Sequence, residues 1–231
     1  MEKSEIKDKA IEAIAVDRFS IDKSSYINFA FFLIDNKVES ENIYILAGLE
    51  NSPHYEQKRY FDIVLNELSI EIDSDEKIDL HYAKYIAQQV VDRKIRPVIG
   101  VHILDKLCID TDYHTFYIEF MELSDALELL DSDHCFIDGL NKDNYEDFCT
   151  RTCELFLEIH QKEVPEDLLG KSICNKCSSL VIPKIKKYKR SIFSRTEYQK
   201  FICPKCNSDN LYSMRTNKGK EIYLEFEKDY S

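Results

Sequence analysis

The chain has 231 residues, of which 44% are apolar and 32% are charged, which indicates a soluble globular protein and excludes an intrinsically disordered chain. Its first residues, MEKSE, lack the basic-then-apolar order of a secretory signal, and the longest uncharged run, residues 24–34, is too short to cross a bilayer. We therefore expect a cytoplasmic protein that does not enter a membrane.

The net charge of −12 is divided unevenly along the chain. Residues 1–170 contain 17 Lys and Arg against 37 Asp and Glu, a net charge of −20, whereas residues 171–231 contain 14 against 6, a net charge of +8. This division predicts two domains with fields of opposite sign, an acidic domain over residues 1–168 and a basic domain over residues 169–231.

Apolar residues recur at spacings of three and four through residues 1–163, a pattern that predicts eight helices with short connections. Ser40 is expected to cap the third helix, and Pro53 suits the first turn of the fourth. Pro97 forces Arg96 out of helical geometry, so the fifth helix should end before it.

A loop is predicted between the seventh and eighth helices. Residues 131–139 lose the helical period and are rich in turn-forming residues. Asn141 is predicted to cap the eighth helix after this loop. The seventh helix, before it, is predicted to carry four aromatic residues: Tyr113, Phe116, Tyr117 and Phe120.

Beyond residue 168 the hydrophobic period changes toward two, which predicts short β-strands. Residues 216–220 are interpreted as a hairpin turn between strands at 211–215 and 221–226, because their Asn and Gly tolerate positive φ angles. The predicted fold class is therefore α+β, with an all-α N-terminal body and a small β-rich C-terminal domain.

Two Cys-x-x-Cys pairs lie in the C-terminal domain, Cys174 with Cys177 and Cys203 with Cys206, separated by 25 residues. Each pair can direct two sulfurs at one ion, and four thiolates complete a tetrahedral site with no open position. The pattern predicts one structural zinc ion, whose binding is worth roughly 10–16 kcal/mol in small zinc modules. The alternative, two redox-active dithiols, requires a Cys-x-x-Cys at a helix start rather than in β-rich sequence.

The C-terminal segment resembles the zinc-ribbon superfamily, most visibly at residues 203–211 (CPKCNSDNL), which look like a second knuckle running into its strand. The match covers roughly residues 172–228. Glycine usually follows each knuckle in that superfamily, whereas this chain has Ser178 and Asn207. The resemblance implies a metal and a fold but no activity, because zinc ribbons serve many functions.

The helical body resembles small uncharacterised bacterial helical proteins, some of which are similar to immunity or defence-associated proteins. The similar segments lie within about residues 40–107 and are LAGL at 46–49, YFDIVLNEL at 60–68, YAKYI at 82–86 and RPVIG at 96–100. The resemblance implies a bacterial protein without a catalytic signature.

Basic and aromatic residues alternate between the two knuckles, a mixture that can hold phosphates and stack on bases. The alternative interpretation is a solvated hairpin whose lysines maintain solubility or attach it to the acidic body. The aromatic residues are Tyr188, Phe193 and Tyr198, and the basic residues are Lys184, Lys186, Lys187, Lys189, Arg190, Arg195 and Lys200.

No Ser-His-Asp order, His-Glu-x-x-His helix or phosphate-binding glycine loop occurs in the sequence, so we do not expect an enzyme. Cys149 and Cys153 lie at i and i+4, with His160 seven residues further on, and could together supply soft ligands from one helix face. We favour buried thiols and an exposed histidine instead.

Two functional hypotheses follow from these observations. The first is a non-catalytic protein that acts through protein–protein interaction, with an acidic body that attracts a basic partner, as in an immunity-like inhibitor. The second is a nucleic-acid-binding module that contacts its target through the basic ribbon. We prefer the first, because the −20 body would repel phosphates. The sequence leaves the oligomeric state open.

Overall fold

The computed structural model describes residues 2–19, 24–72, 74–132, 135–161, 164–165, 167–189 and 197–229. Eight of its described helices precede the strands: α1 (Lys3–Phe19), α2 (Ser25–Asp35), α3 (Glu41–Ala47), α4 (His54–Glu67), α5 (Asp75–Val91), α6 (Pro97–Asp110), α7 (Ile118–Glu128) and α8 (Tyr145–Ile159). A 3₁₀ turn, Leu168–Gly170, leads to β1 (Ser172–Cys174), β2 (Leu180–Val181), β3 (Lys184–Lys189), β4 (Glu197–Ile202), β5 (Leu211–Ser213) and a last helix, α9 (Asn217–Asp229). The α+β class is confirmed.

The chain forms two compact units, residues 1–85 and 86–231. In the first unit, α2 packs against α1, α3 and α4 because nearly all of its residues are apolar. Ser40 caps α3 as expected, since its Oγ accepts a hydrogen bond from the Ile43 amide at 3.3 Å. Pro53 stands immediately before α4. This core includes the buried residues Tyr26, Phe29, Leu33, Ile43, Leu46 and Phe61.

A proline and a glycine determine how α6 follows α5. Pro97 is the first residue of α6, and Arg96 before it is extended, with φ −65° and ψ 139°, as expected. Gly100 permits a close approach to the end of α5, because an added Cβ would lie 2.1 Å from Val90 Cγ2. None of the described helices has both the length and the apolar composition that a membrane span needs.

Two predicted helix starts in this unit are wrong. Tyr113, Phe116 and Tyr117 precede α7, because Asp112 and Tyr113 have positive φ angles of 53° and 60° and form a turn after α6. Of the four aromatic residues predicted on this helix, Phe120 lies within it. Asn141 also lies outside α8, which begins at Tyr145. The Asn141 side chain instead accepts from the Asp143 amide at 2.9 Å, in a turn that precedes the helix.

The strands form two small antiparallel sheets, one in the order β2-β1-β5 and the other of β3 with β4. Hydrophobic residues from α8, the 3₁₀ turn and the strands join those of α9 in one cluster: Ile159, Leu168, Leu169, Ile173, Met214 and Ile222. The second unit therefore has a core to which both the helices and the sheet contribute. The predicted domain boundary near residue 168 stays a prediction.

The hairpin predicted at residues 216–220 is wrong, because α9 occupies this position. Thr216 caps the helix, its Oγ1 accepting from the Gly219 amide at 3.1 Å. Gly219 is required by a close backbone approach and not by a turn, since an added Cβ would lie 2.0 Å from the carbonyl oxygen of Ser213.

Candidate metal centre

The four cysteines of the two knuckles meet in space, and all four sulfurs lie within 4.8 Å of one another. The Sγ atoms of Cys174 and Cys206 are 3.6 Å apart, and those of Cys177 and Cys203 are 3.7 Å apart. Sulfurs at about 2.3 Å from a tetrahedral zinc ion are about 3.8 Å apart, whereas a disulfide bond is only about 2.0 Å long. The four thiols are therefore free and spaced to hold one metal ion.

The two knuckles have the same backbone structure. The residue after each second cysteine, Ser178 or Asn207, has a positive φ, 53° and 57° respectively. Its amide donates to the carbonyl of the first cysteine of its pair, at 2.8 Å from Ser178 and 2.9 Å from Asn207. Ser and Asn thus adopt the left-handed geometry that glycine usually provides at these positions in zinc ribbons.

The ends of strands bring the two knuckles together. Cys174 is the last residue of β1, and Cys203 directly follows β4. The first cysteine of each pair is buried and the second is partly exposed. Val181 and Leu211 pack against the cluster, so the sulfurs have an apolar side and a side near solvent.

The thiols influence one another's ionisation. The hydroxyl of Ser179 and the neighbouring thiols hold the pKa of Cys177 down at about 6. At Cys206 the Ser208 amide lowers the pKa, but burial and the other three sulfurs raise it to about 12. Ionisation of one thiol is thus favoured near neutral pH, whereas ionisation of a second thiol beside it is unfavourable. A divalent cation supplies the charge that four thiolates need, so the donor set fits a metal ion.

The other set of soft ligands considered from the sequence does not form a site. Cys149 and Cys153 are buried, and burial raises the pKa of each thiol to about 12. His160 is buried as well, so the expected exposed histidine is wrong. Its ring lies 4.8 Å from that of Phe116 and 4.5 Å from that of Phe156. Within the described residues, the knuckle cysteines form the one cluster with metal-binding spacing.

The basic residues between the knuckles lie largely on β3 and β4, which we call the arm. Side chains alternate between its two faces. One face carries Lys184, Lys186 and Tyr188 of β3 with Tyr198 and Lys200 of β4, and the other carries Ile185 and Lys187 with Gln199 and Phe201. Lys189 ends β3, whereas Arg190, Phe193 and Arg195 lie outside the described residues.

The first face of the arm combines positive charge with aromatic rings. Lys186 pairs with Lys200 across the strands, and Tyr188 pairs with Tyr198. The two tyrosine rings are stacked, with centroids 5.6 Å apart. The ammonium of Lys186 lies 5.3 Å from the centroid of the Tyr188 ring. Lys200 also forms an ion pair of 2.6 Å with Asp209 of the second knuckle.

Ion pairs between the basic C-terminal segment and the acidic helices involve residues that the sequence analysis missed. Arg215 donates to Glu122 at 3.1 Å. Lys220, which is fully buried, forms an ion pair with Glu119, which is also buried. Burial lowers the pKa of Lys220 to about 7, while the adjacent carboxylate favours its charged form. The opposite net charges of residues 1–170 and 171–231 could have predicted such ion pairs in general, but they do not indicate which residues pair.

Comparison with protein-family models, with curated proteins and with solved structures gives no match for this chain. The structure shows a helical body and a C-terminal four-cysteine cluster whose two knuckles and three-stranded sheet are compatible with a zinc ribbon.

Proposed function

We propose that this chain is a non-catalytic binding protein in which one structural zinc ion holds the base of the arm and the arm contacts a protein partner. The tetrahedral spacing of four cysteine sulfurs carries the first part of this proposal. Four thiolates select a soft ion such as zinc, and they leave no coordination position for a substrate or water.

The four cysteines lie close in sequence to both strands of the arm. β4 runs directly into Cys203, and β3 begins three residues after β2, which pairs with the strand that ends at Cys174. Both strands of the arm are thus anchored beside the sulfurs. Metal binding would fix the arm's base, as it stabilises other small modules with little core of their own.

The second face of the arm supports a protein partner. Ile185 and Phe201 are Cα partners on this face and are 58% and 63% exposed. An exposed apolar pair on a narrow two-stranded sheet is unfavourable in water, and covering it with a partner's apolar side chain removes that cost. The −20 charge of residues 1–170 would in addition attract a partner with a basic surface, as an immunity-like inhibitor requires.

Two measurements test this proposal. Elemental analysis of protein purified without chelator should find about one zinc per chain, and a content near zero would contradict the metal assignment. For the arm, Ile185→Ser with Phe201→Ser should abolish the capture of a specific protein from the native host. Gln199→Ser, on the same face, is the matched control and should retain capture. Equal capture by all three proteins, or none by the wild type, would contradict the proposed contact.

Nucleic-acid binding is the second candidate, and the first face of the arm favours it. Lys184, Lys186 and Lys200 place positive charge on this face, of which the ion pair with Asp209 offsets that of Lys200. The stacked pair Tyr188 and Tyr198 offers an aromatic surface beside this charge. The two candidates therefore use opposite faces of the same arm and can be separated by substitution.

A further inference from the structure

A cleft of about 690 Å³ lies within the second unit, between α7 and α8 on one side and the segment from β5 to α9 on the other. Apolar side chains form much of its surface, among them Leu123, Ile137, Phe148 and Leu211. A cleft of this volume with a mainly apolar wall and a few polar groups is typical of a small-molecule site.

One lining residue, Glu119, has an unsatisfied polar atom. Glu119 is only 4% exposed, and its Oε2 accepts a hydrogen bond from the buried Lys220 ammonium. Its Oε1 is also buried, and the described residues provide no hydrogen-bond partner for it. A buried carboxylate oxygen without a donor is unfavourable, and a molecule bound in the adjacent cleft can supply that donor.

Four other charged residues of the cleft form ion pairs, whereas Asp138 and Lys218 line it from solvent-exposed positions. Arg215 donates to Glu122 at 3.1 Å, and Arg151 donates to Glu221 at 3.2 Å. A charged ligand group beside Glu119 would therefore lose its hydration next to buried charges that are already paired. An uncharged ligand avoids this cost and can still donate to Glu119.

We propose that this cleft binds an uncharged small molecule that has an aromatic or aliphatic body and one N–H or O–H donor, which Glu119 Oε1 accepts. The body of the ligand packs against the apolar wall formed by Leu123, Ile137 and Phe148. Because α7 and α8 contribute one wall and the β5–α9 segment the other, the ligand stabilises the contact between them.

The test compares indole with benzofuran, which has the same shape but an oxygen in place of the N–H. Binding to the full-length wild type is measured by titration, with backbone amide shifts of Thr152 and Asn217, both lining residues, reporting occupancy of the cleft. Indole should bind roughly 10- to 100-fold more tightly, the range expected for a hydrogen bond to a charged acceptor. Equal affinity, or no shift with either probe at its solubility limit, overturns the proposal.

Substitution then tests the acceptor itself. Glu119→Leu with Lys220→Met removes the carboxylate acceptor and its buried partner together, and it should abolish the preference for indole. Glu122→Gln, a lining residue on the same helix, should keep the preference. A preference that survives the double substitution overturns the role of Glu119. If that variant fails to fold, the wild-type comparison of the two probes decides alone.

Discussion

The eight cysteines of this chain occupy environments of different reactivity. Four form the candidate metal site, and three others, Cys108, Cys149 and Cys153, are fully buried in the helices. Burial raises the pKa of Cys108 to about 11 and those of Cys149 and Cys153 to about 12. Because the thiolate is the reactive form, these three thiols are expected to be inert in the folded protein.

A thiol titration at pH 8 should therefore proceed in steps. In zinc-loaded native protein only the half-buried Cys135 should react readily, whereas a chelator should release four more thiols and a denaturant the last three. A colorimetric disulfide reagent counts each step. Reaction of all four knuckle thiols before the chelator is added would show that they hold no metal.

The buried pair of Lys220 and Glu119 makes the second prediction at this scale. Lys220→Met leaves the carboxylate unpaired and should lower the free energy of unfolding by about 3–5 kcal/mol. Lys220→Met with Glu119→Leu removes both charges and should be neutral or stabilising. Denaturant unfolding measures each difference, and Lys218→Met, an exposed position in the same helix, is the control. A double variant as unstable as the single one would contradict this account.

At the level of elements, the sequence predicted most helices and the two cysteine knuckles because their signals are local. Pro97 and Ser40 act on their own backbone, and each Cys-x-x-Cys defines its own turn. α9 was missed because the alternation of Ile222, Leu224 and Phe226 is also typical of a strand. The helix is stabilised by packing against residues that are distant in sequence, which the local pattern does not show. The Glu119–Lys220 pair was beyond prediction, since 101 residues separate its members.

The arm allows a prediction that distinguishes its two faces. Lys186→Glu with Lys200→Glu reverses two charges beside the stacked tyrosines, whereas Lys187→Glu reverses one charge on the opposite face. If the arm binds nucleic acid, the first substitution should abolish binding and the second should weaken it slightly. Gel-shift titrations with single- and double-stranded DNA and RNA at about 0.15 M salt measure this.

The preferred hypothesis expects no shift in that assay for the wild type. Micromolar or tighter binding that is lost with Lys186→Glu and Lys200→Glu would reject the protein-partner hypothesis in favour of nucleic acid. Loss of binding with Lys187→Glu alone would instead point to a general electrostatic attraction, because that side chain lies on the other face.

For the whole molecule, all four cysteines of the candidate metal site lie in the second of the two units. The core of residues 1–85 is formed by α1–α4 and the segment after α4, so its stability should not depend on zinc. We expect a chelator to remove amide protection from β1–β5 while leaving α2 and α4 protected. Hydrogen exchange by mass spectrometry measures both regions, and equal loss in the two would contradict the expectation.

The pairing of Lys184 with Ile202 allows the residues between them to be replaced. These two residues are neighbours at the base of the arm, so the two ends of segment 185–201 are attached to the rest of the fold at nearly the same point. A two-residue type I′ turn joins antiparallel strands with this spacing. The arm can thus be exchanged for such a turn, or for the recognition loop of another protein, while the knuckles keep the arrangement of their four cysteines.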